Sequence, residues 1–297
     1  MVVLKRYIPA LFVLIWSTGF IGAKYILPFA EPFVFLSIRY FFATISLLLL
    51  AKALGESLKI SWPAIKQSIV VAIFLHVIYI GGVFYAINIG VSAGIAAVIV
   101  SLQPILVSIL AIPFLGERLR WIQVAGLALG FAGVALLLLP KVFQGDFSSA
   151  FSKTGIFSCV LALLGTTGGY LMQKRGGNEI AFLPGTAIQF ATSTVFFAIL
   201  AFAYEDLTVT VSISFILALI WIVFALSIGS IFLLYFMLRH DSASAVSSLY
   251  YLVPPVTAIQ AYFFFGEKIA GVGYLGMGLA LTGTLLATRV KSAPKQL

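Results

Sequence analysis

The groups that could handle a solute in this chain are few and widely spaced. His76, in the run FLHVIYIGG, is the one group near the centre of a long apolar stretch that titrates close to neutral pH. A cavity wall is its expected role. A proton relay and a neutral imidazole hydrogen-bonded inside a bundle are the other readings. Arg39 follows Pro32 by seven residues, which on a helix is about 10 Å. A guanidinium that deep must pair, snorkel or meet water. It could bind a substrate carboxylate, or it could lock helix ends through an ion pair with Glu267 or, as second choice, Glu31. Trp16, Phe20, Tyr79, Tyr170, Tyr250 and Tyr251, with the amides Gln103 and Gln189, complete the candidate wall. Tyrosine offers an amphipathic solute an apolar body and a hydroxyl, although Trp and Tyr also gather at membrane interfaces.

Other chemistries lack their residues. There is no G-x4-G-K-[ST] phosphate loop, and GFIGAKY at 19–25 has the wrong spacing, so ATP is not expected to drive this chain. There is no HExxH, there are only two histidines, and the single cysteine, Cys159, excludes an intrachain disulfide. No metal site and no cofactor are therefore expected. All nine acidic residues fall at the ends of apolar runs or in loops, leaving no mid-membrane carboxylate for a coupling ion. No region gathers a His, Asp, Glu or Cys constellation, so the chain reads as a non-enzyme.

The elements that must position these groups live in lipid. The chain has 297 residues, of which 62% are hydrophobic and only 9% charged. Soluble domains run nearer 45–50% apolar and about 25% charged. A membrane-spanning helix needs about 20 apolar residues. Such runs lie near 8–28, 32–54, 66–88, 92–114, 121–140, 154–174, 181–204, 213–236, 243–265 and 271–290, which makes ten. A net charge of +9 would suggest nucleic acid in a soluble protein, but here the placement of charge reports topology, and no nucleic-acid partner is expected. With alternating spans, 13 of the 18 Lys and Arg fall on the side that holds both termini and 4 on the other, with Arg39 inside a span. Basic loops stay in the cytoplasm, so both termini are predicted inside.

The two halves repeat. FLGER at 114–118 and FFGEK at 264–268 lie 150 residues apart. The same shift sets Pro104 on Pro254, Tyr85 on Tyr235, Gly126 on Gly276, Gly133 on Gly283 and Lys24 on Lys174. Each half holds five spans, an odd number, so the second copy enters the membrane from the opposite side. The expected domains are 1–144 and 145–297. Pro104 and Pro254 fall inside matched spans and are expected to kink them as hinges. Lys24 and Glu267 share one mouth, Lys174 and Glu117 the other, which suggests an electrostatic latch on each side. Trp16, Arg39 and His76 meet Thr166, Gln189 and Leu226 in the other half, and positions that differ between copies are freer to serve a ligand. GLALG at 126–130 is a small-residue face, expected to pack inside the monomer rather than in a dimer.

Span 1 reads W-S-T-G-F-I-G-A-K, holding Trp16, Phe20 and Lys24, and P-x6-R-Y follows at Pro32, Arg39 and Tyr40. Then come VSAGIAAVIVSLQPILVSILAIPFLGERL and SAVSSLYYLVPPVTAIQAYFFFGEKIAGVGYLGMGLALTGTLL. With these motifs the chain resembles the EamA-type permeases of the drug/metabolite transporter superfamily. That resemblance implies ten helices in two inverted five-helix repeats around a central substrate cavity. It also implies export or exchange of small metabolites, often amino acids or related compounds, across a bacterial inner membrane. The expectation is therefore an all-α polytopic membrane protein acting as a secondary transporter, with a small molecule and the bilayer as partners and a monomeric or homodimeric state. A membrane channel and a membrane-embedded enzyme acting on lipid are the alternatives.

Overall fold

A computed structural model describes residues 2–91, 93–143, 153–176, 181–266 and 269–288. The side chains of Phe20 and Lys24, and all of Glu267, lie outside the described residues. The described chain folds into ten helical rods. They are α1 (Val2–Ile26), α2 (Pro32–Ala53), α3 (Trp62–Asn88), α4 (Ala93–Val100 and Gln103–Leu115) and α5 (Trp121–Phe143). The second five are α6 (Lys153–Gly176), α7 (Phe182–Tyr204), α8 (Ile213–His240), α9 (Ala243–Ser248, Leu249–Leu252 and Val253–Phe265) and α10 (Gly271–Thr288). Eight described helices are long and apolar enough to cross a membrane. The other two rods do not meet that criterion. α1 offers a shorter apolar stretch, Tyr7–Gly19, and α9 is interrupted by a 3-10 turn. Large apolar side chains such as Leu49, Ile199, Leu217 and Leu275 face outward, as they do where lipid is the solvent. The molecule is a multi-pass membrane protein.

Local sequence sets the rod ends. Ser61, Ser212 and Ser242 each accept a backbone N–H three residues on, from Ala64, Phe215 and Ala245, satisfying an otherwise orphaned donor of the first turn. α3 therefore starts at Trp62, earlier than its apolar run, because Ser61 caps it and Pro63 suits a first turn. The repeated corner has an equally local cause. Gly116 (φ 66°) and Gly266 (φ 67°) both end their helices in the left-handed conformation that glycine adopts without strain. A Cβ on Gly116 would touch nothing within 4 Å, so only the backbone penalty applies. Gly116→Ala is expected to lower stability by about 1 kcal/mol, read as a lower thermal unfolding midpoint in detergent.

The pairing of rods follows the sequence repeat. α5 packs on α10, and α2 on α7, each a rod against its own equivalent. α6 packs on α3 and α4 as α1 packs on α8 and α9. Equivalent rods run antiparallel. Gly126 lies against Gly283 and Ala287, while Gly133 lies against Gly276 and Ala280. A Cβ on Gly126 would sit 2.6 Å from the backbone nitrogen of Ala287, so this pair closes through its backbones. The small-residue face of α5 is thus spent inside the chain. At one end α2 and α7 are also tied by charge. Glu205 accepts the backbone N–H groups of Phe33 (2.8 Å) and Val34 (2.7 Å). Glu31 accepts that of Asp206 at 2.7 Å. Burial pushes the Glu205 carboxyl up, against the pull of those two N–H donors.

Two irregularities recur in both halves. α3 widens into a π-helix over Ile73–Gly81, and α8 does so over Ile222–Ser230. α4 breaks at Ser101 and Leu102, and α9 narrows to a 3-10 turn over Leu249–Leu252. Pro104 and Pro254 each stand in the first turn of the segment after the break. They are not the mid-helix kinks that their position in the apolar runs predicted. A proline at that position has no N–H to lose and begins a new helix without strain.

Candidate functional site

The four irregular segments converge on one cavity of about 160 Å³. The π-helix of α3 brings His76 and Tyr79 to its wall, and that of α8 brings Leu226 and Ser227. The broken rods bring Ser101 and Gln103 from α4, and Tyr250 and Pro254 from α9. Trp16 and Arg39 arrive from α1 and α2. π-turns leave backbone groups less regularly paired and turn side chains out of α-helical phase, which is one reason they recur at functional sites.

Arg39 is 7% exposed, and its Nε donates to Ser227 Oγ at 2.8 Å. Ser227 passes the chain on by donating to the Ile222 carbonyl at 3.0 Å, a span of five residues that the π-helix allows. The guanidinium carbon lies 5.1 Å from the centre of the Tyr40 ring. Of the two expected acidic partners, the one among the described residues does not serve Arg39. Glu31 is committed to Asp206 at the end of its rod, and Glu267 lies outside the described residues. Tyr40 fixes two neighbours at once, with its hydroxyl 3.2 Å from His76 Nδ1 and its ring stacked on Phe197 at 5.8 Å. His76 is 2% exposed, and its Nε2 hydrogen-bonds to no described residue, nor does Gln103 Nε2. Trp16 and Tyr250 meet edge to face at 5.4 Å and form the aromatic part of the wall.

Six of the predicted wall residues therefore line the cavity: Trp16, Arg39, His76, Tyr79, Gln103 and Tyr250. Three others do not. Tyr251 is turned away from Tyr250 by the tight 3-10 turn and packs on Gly130 between α5 and α10. Tyr170 stands behind Tyr250, with ring centres 6.2 Å apart. Gln189 is held behind the wall, donating to Gln173 at 3.1 Å and accepting from Tyr235 at 2.6 Å. Sequence reasoning overlooked Ser227. Its signal was a pair of small polar residues, Ser227 and Ser230, in the apolar middle of α8.

The cavity is one-sided. Its lining runs from mid-depth to the face where α1 turns into α2 and α3 into α4, reaching Leu27, Phe35 and Ile87. Among the described residues no lining residue comes from the opposite face, where α2 ends and α3 begins. There the turn between α8 and α9 is gripped from two sides. Glu117, just past α4, accepts from the Ala243 N–H at 2.6 Å and from the Ser244 hydroxyl at 2.7 Å and N–H at 3.3 Å. Lys174 at the end of α6 donates to the carbonyls of Asp241 (2.6 Å) and Leu238. Glu117 and Lys174 were expected to latch as an acid and a base. Each instead takes a helix end of its own preference, the carboxylate at the amides starting α9 and the ammonium at the carbonyls ending α8.

The profile of the EamA-like transporter family matches residues 8–139 and again 153–289. The chain belongs to the EamA-like transporter family. Among its relatives, "Uncharacterized transporter YvbV" of Bacillus subtilis is 27% identical over 96% of this chain and 92% of its own length. "Uncharacterized inner membrane transporter YedA" of Escherichia coli is 24% identical over 94% and 89%. The "Probable terminal-alkyne amino-acid exporter" of Streptantibioticus cattleyicolor is 28% identical over 67% of this chain and 65% of its own. A solved structure described only as "Crystal structure of protein" superposes with a TM-score of 0.80 at 19% identity, covering 96% of each chain. That likeness concerns the fold alone.

Proposed function

We propose that this EamA-like chain is a secondary transporter, an exporter or exchanger of small polar or amphipathic metabolites such as amino acids or related compounds. It works by alternating access between ten spans in two inverted repeats. It sits in a bacterial inner membrane with both termini in the cytoplasm, on the strength of its basic loops and of the inner-membrane relative. The observation that carries the reading is the one-sided cavity: its lining reaches toward one face, while at the other Glu117 and Lys174 hold the turn between α8 and α9. Antiparallel equivalent rods supply the second state, because exchanging the conformations of the two halves turns the opening to the other side. The matched breaks before Pro104 and Pro254 are the places where each half bends. In that second state Lys24 and Glu267 take over the closure.

The test is flux into proteoliposomes holding the purified chain, across a panel of amino acids, carboxylates and amines, with and without a pH gradient. Saturable flux of at least one class is expected. Non-saturable flux would favour a channel, and no flux for any class would remove the transport reading.

A further inference from the structure

Among the described residues the cavity holds one formal charge and no opposite charge to balance it. Arg39 is the only charged residue of its described lining, and among the described residues its side chain hydrogen-bonds to the neutral hydroxyl of Ser227. Among the described residues no Asp or Glu forms part of the wall. Removing a guanidinium from water is costly unless an anion or further hydrogen bonds offset it. Donors are in surplus elsewhere too. Gln103 is 2% exposed with an Nε2 that lacks a partner among the described residues, and it lines the same cavity as Arg39. Besides these two and the neutral His76, Ser101 and Ser227, the described wall is apolar or aromatic, from Phe35, Leu75 and Ile80 to Trp16 and Tyr250.

We infer that the occupant is a small monocarboxylate with an apolar or aromatic body and no ammonium group, such as a 2-oxo or 2-hydroxy acid. Its carboxylate takes the free edge of the Arg39 guanidinium, where planar bidentate pairing is available. Its body fills the aromatic side. A zwitterionic amino acid of the same skeleton brings a second charge that finds no carboxylate here, and a buried unpaired ammonium is strongly disfavoured. The inference rests on the reading of this cavity as the transported solute's site, and it narrows that solute.

The test compares matched pairs on the purified full-length chain in nanodiscs: phenylpyruvate against phenylalanine, and 4-methyl-2-oxopentanoate against leucine. Binding is read by titration calorimetry at one pH and salt concentration. At least tenfold tighter binding of each oxo acid is expected. Arg39→Gln is expected to erase the preference and Arg39→Lys to retain part of it. The wild-type comparison stands alone should the variants fail to fold. Equal or tighter binding of the amino acids, no binding of any probe, or a preference that survives in a folded Arg39→Gln would overturn the inference. Saturable exchange of amino acids without the oxo-acid preference would leave the carrier intact and remove only this narrowing.

Discussion

Gly133→Leu is expected to prevent the two halves from closing on each other and to leave little folded protein. Gly133 faces the backbone of Gly276 and Ala280, and an added Cβ would already sit 2.6 Å from the Gly276 carbonyl oxygen. Overpacking against side chains typically costs about 1–3 kcal/mol because rotamers can yield. Here the obstacle is backbone, so the two helices must separate along their contact. Gly278 supplies the control, since a Cβ there meets nothing within 4 Å. The comparison is the monodisperse yield of Gly133→Leu and Gly278→Leu on size exclusion in mild detergent, together with their thermal midpoints. Loss confined to Gly133→Leu agrees with the structure. Equal behaviour of the two variants would mean that α5 and α10 do not meet as described.

Glu117→Ala carries the second large effect, on conformation rather than on folding. It removes one carboxylate that receives three donors from the start of α9. Hydrogen bonds to a charged group are worth about 1.5–3 kcal/mol each in net stability, less where water can replace them. A net loss of about 1.4 kcal/mol shifts the balance between open and closed faces tenfold. Two cysteine reporters read that shift. Ser101→Cys lies in the cavity lining, and Ser108→Cys is buried in α4 toward the gripped face. The native Cys159 is buried, so it gives little background labelling. In the Glu117→Ala background, labelling at position 108 is expected to rise and that at 101 to fall. Unchanged labelling at both positions would show that the grip on α9 does not hold the closed face.

Much of this was legible in the sequence for physical reasons that can be named. A chain this poor in charge cannot fold in water. The Gly-Glu corner repeats because each copy ends its fourth rod with a left-handed glycine. Gly126, Gly133, Gly276 and Gly283 matched by shift because they share one interface. The cavity was half legible. Trp16, Arg39 and His76 break the repeat and line it, whereas Gln189 also breaks the repeat and is spent on Gln173 and Tyr235. Sequence spacing assumes a regular helix, and the wall is built from π and 3-10 turns that rotate side chains out of that phase. That is why Tyr250 reaches the cavity and Tyr251 does not. It is also why Ser227 was missed as the partner of Arg39. Glu117 and Lys174 were singled out by charge, but charge could not show that their hydrogen bonds go to the ends of α8 and α9.

The central claim is that one binding cavity is exposed to the two sides of the membrane in turn. Counterflow measures this directly. Proteoliposomes are loaded with a high concentration of an unlabelled solute that the chain carries and diluted into a trace of the same solute with a label. A carrier returns loaded, so labelled solute is expected to accumulate transiently above its outside concentration and then decay. Labelled solute that only equilibrates, with no overshoot at any preloading concentration, would contradict alternating access and leave a channel in its place.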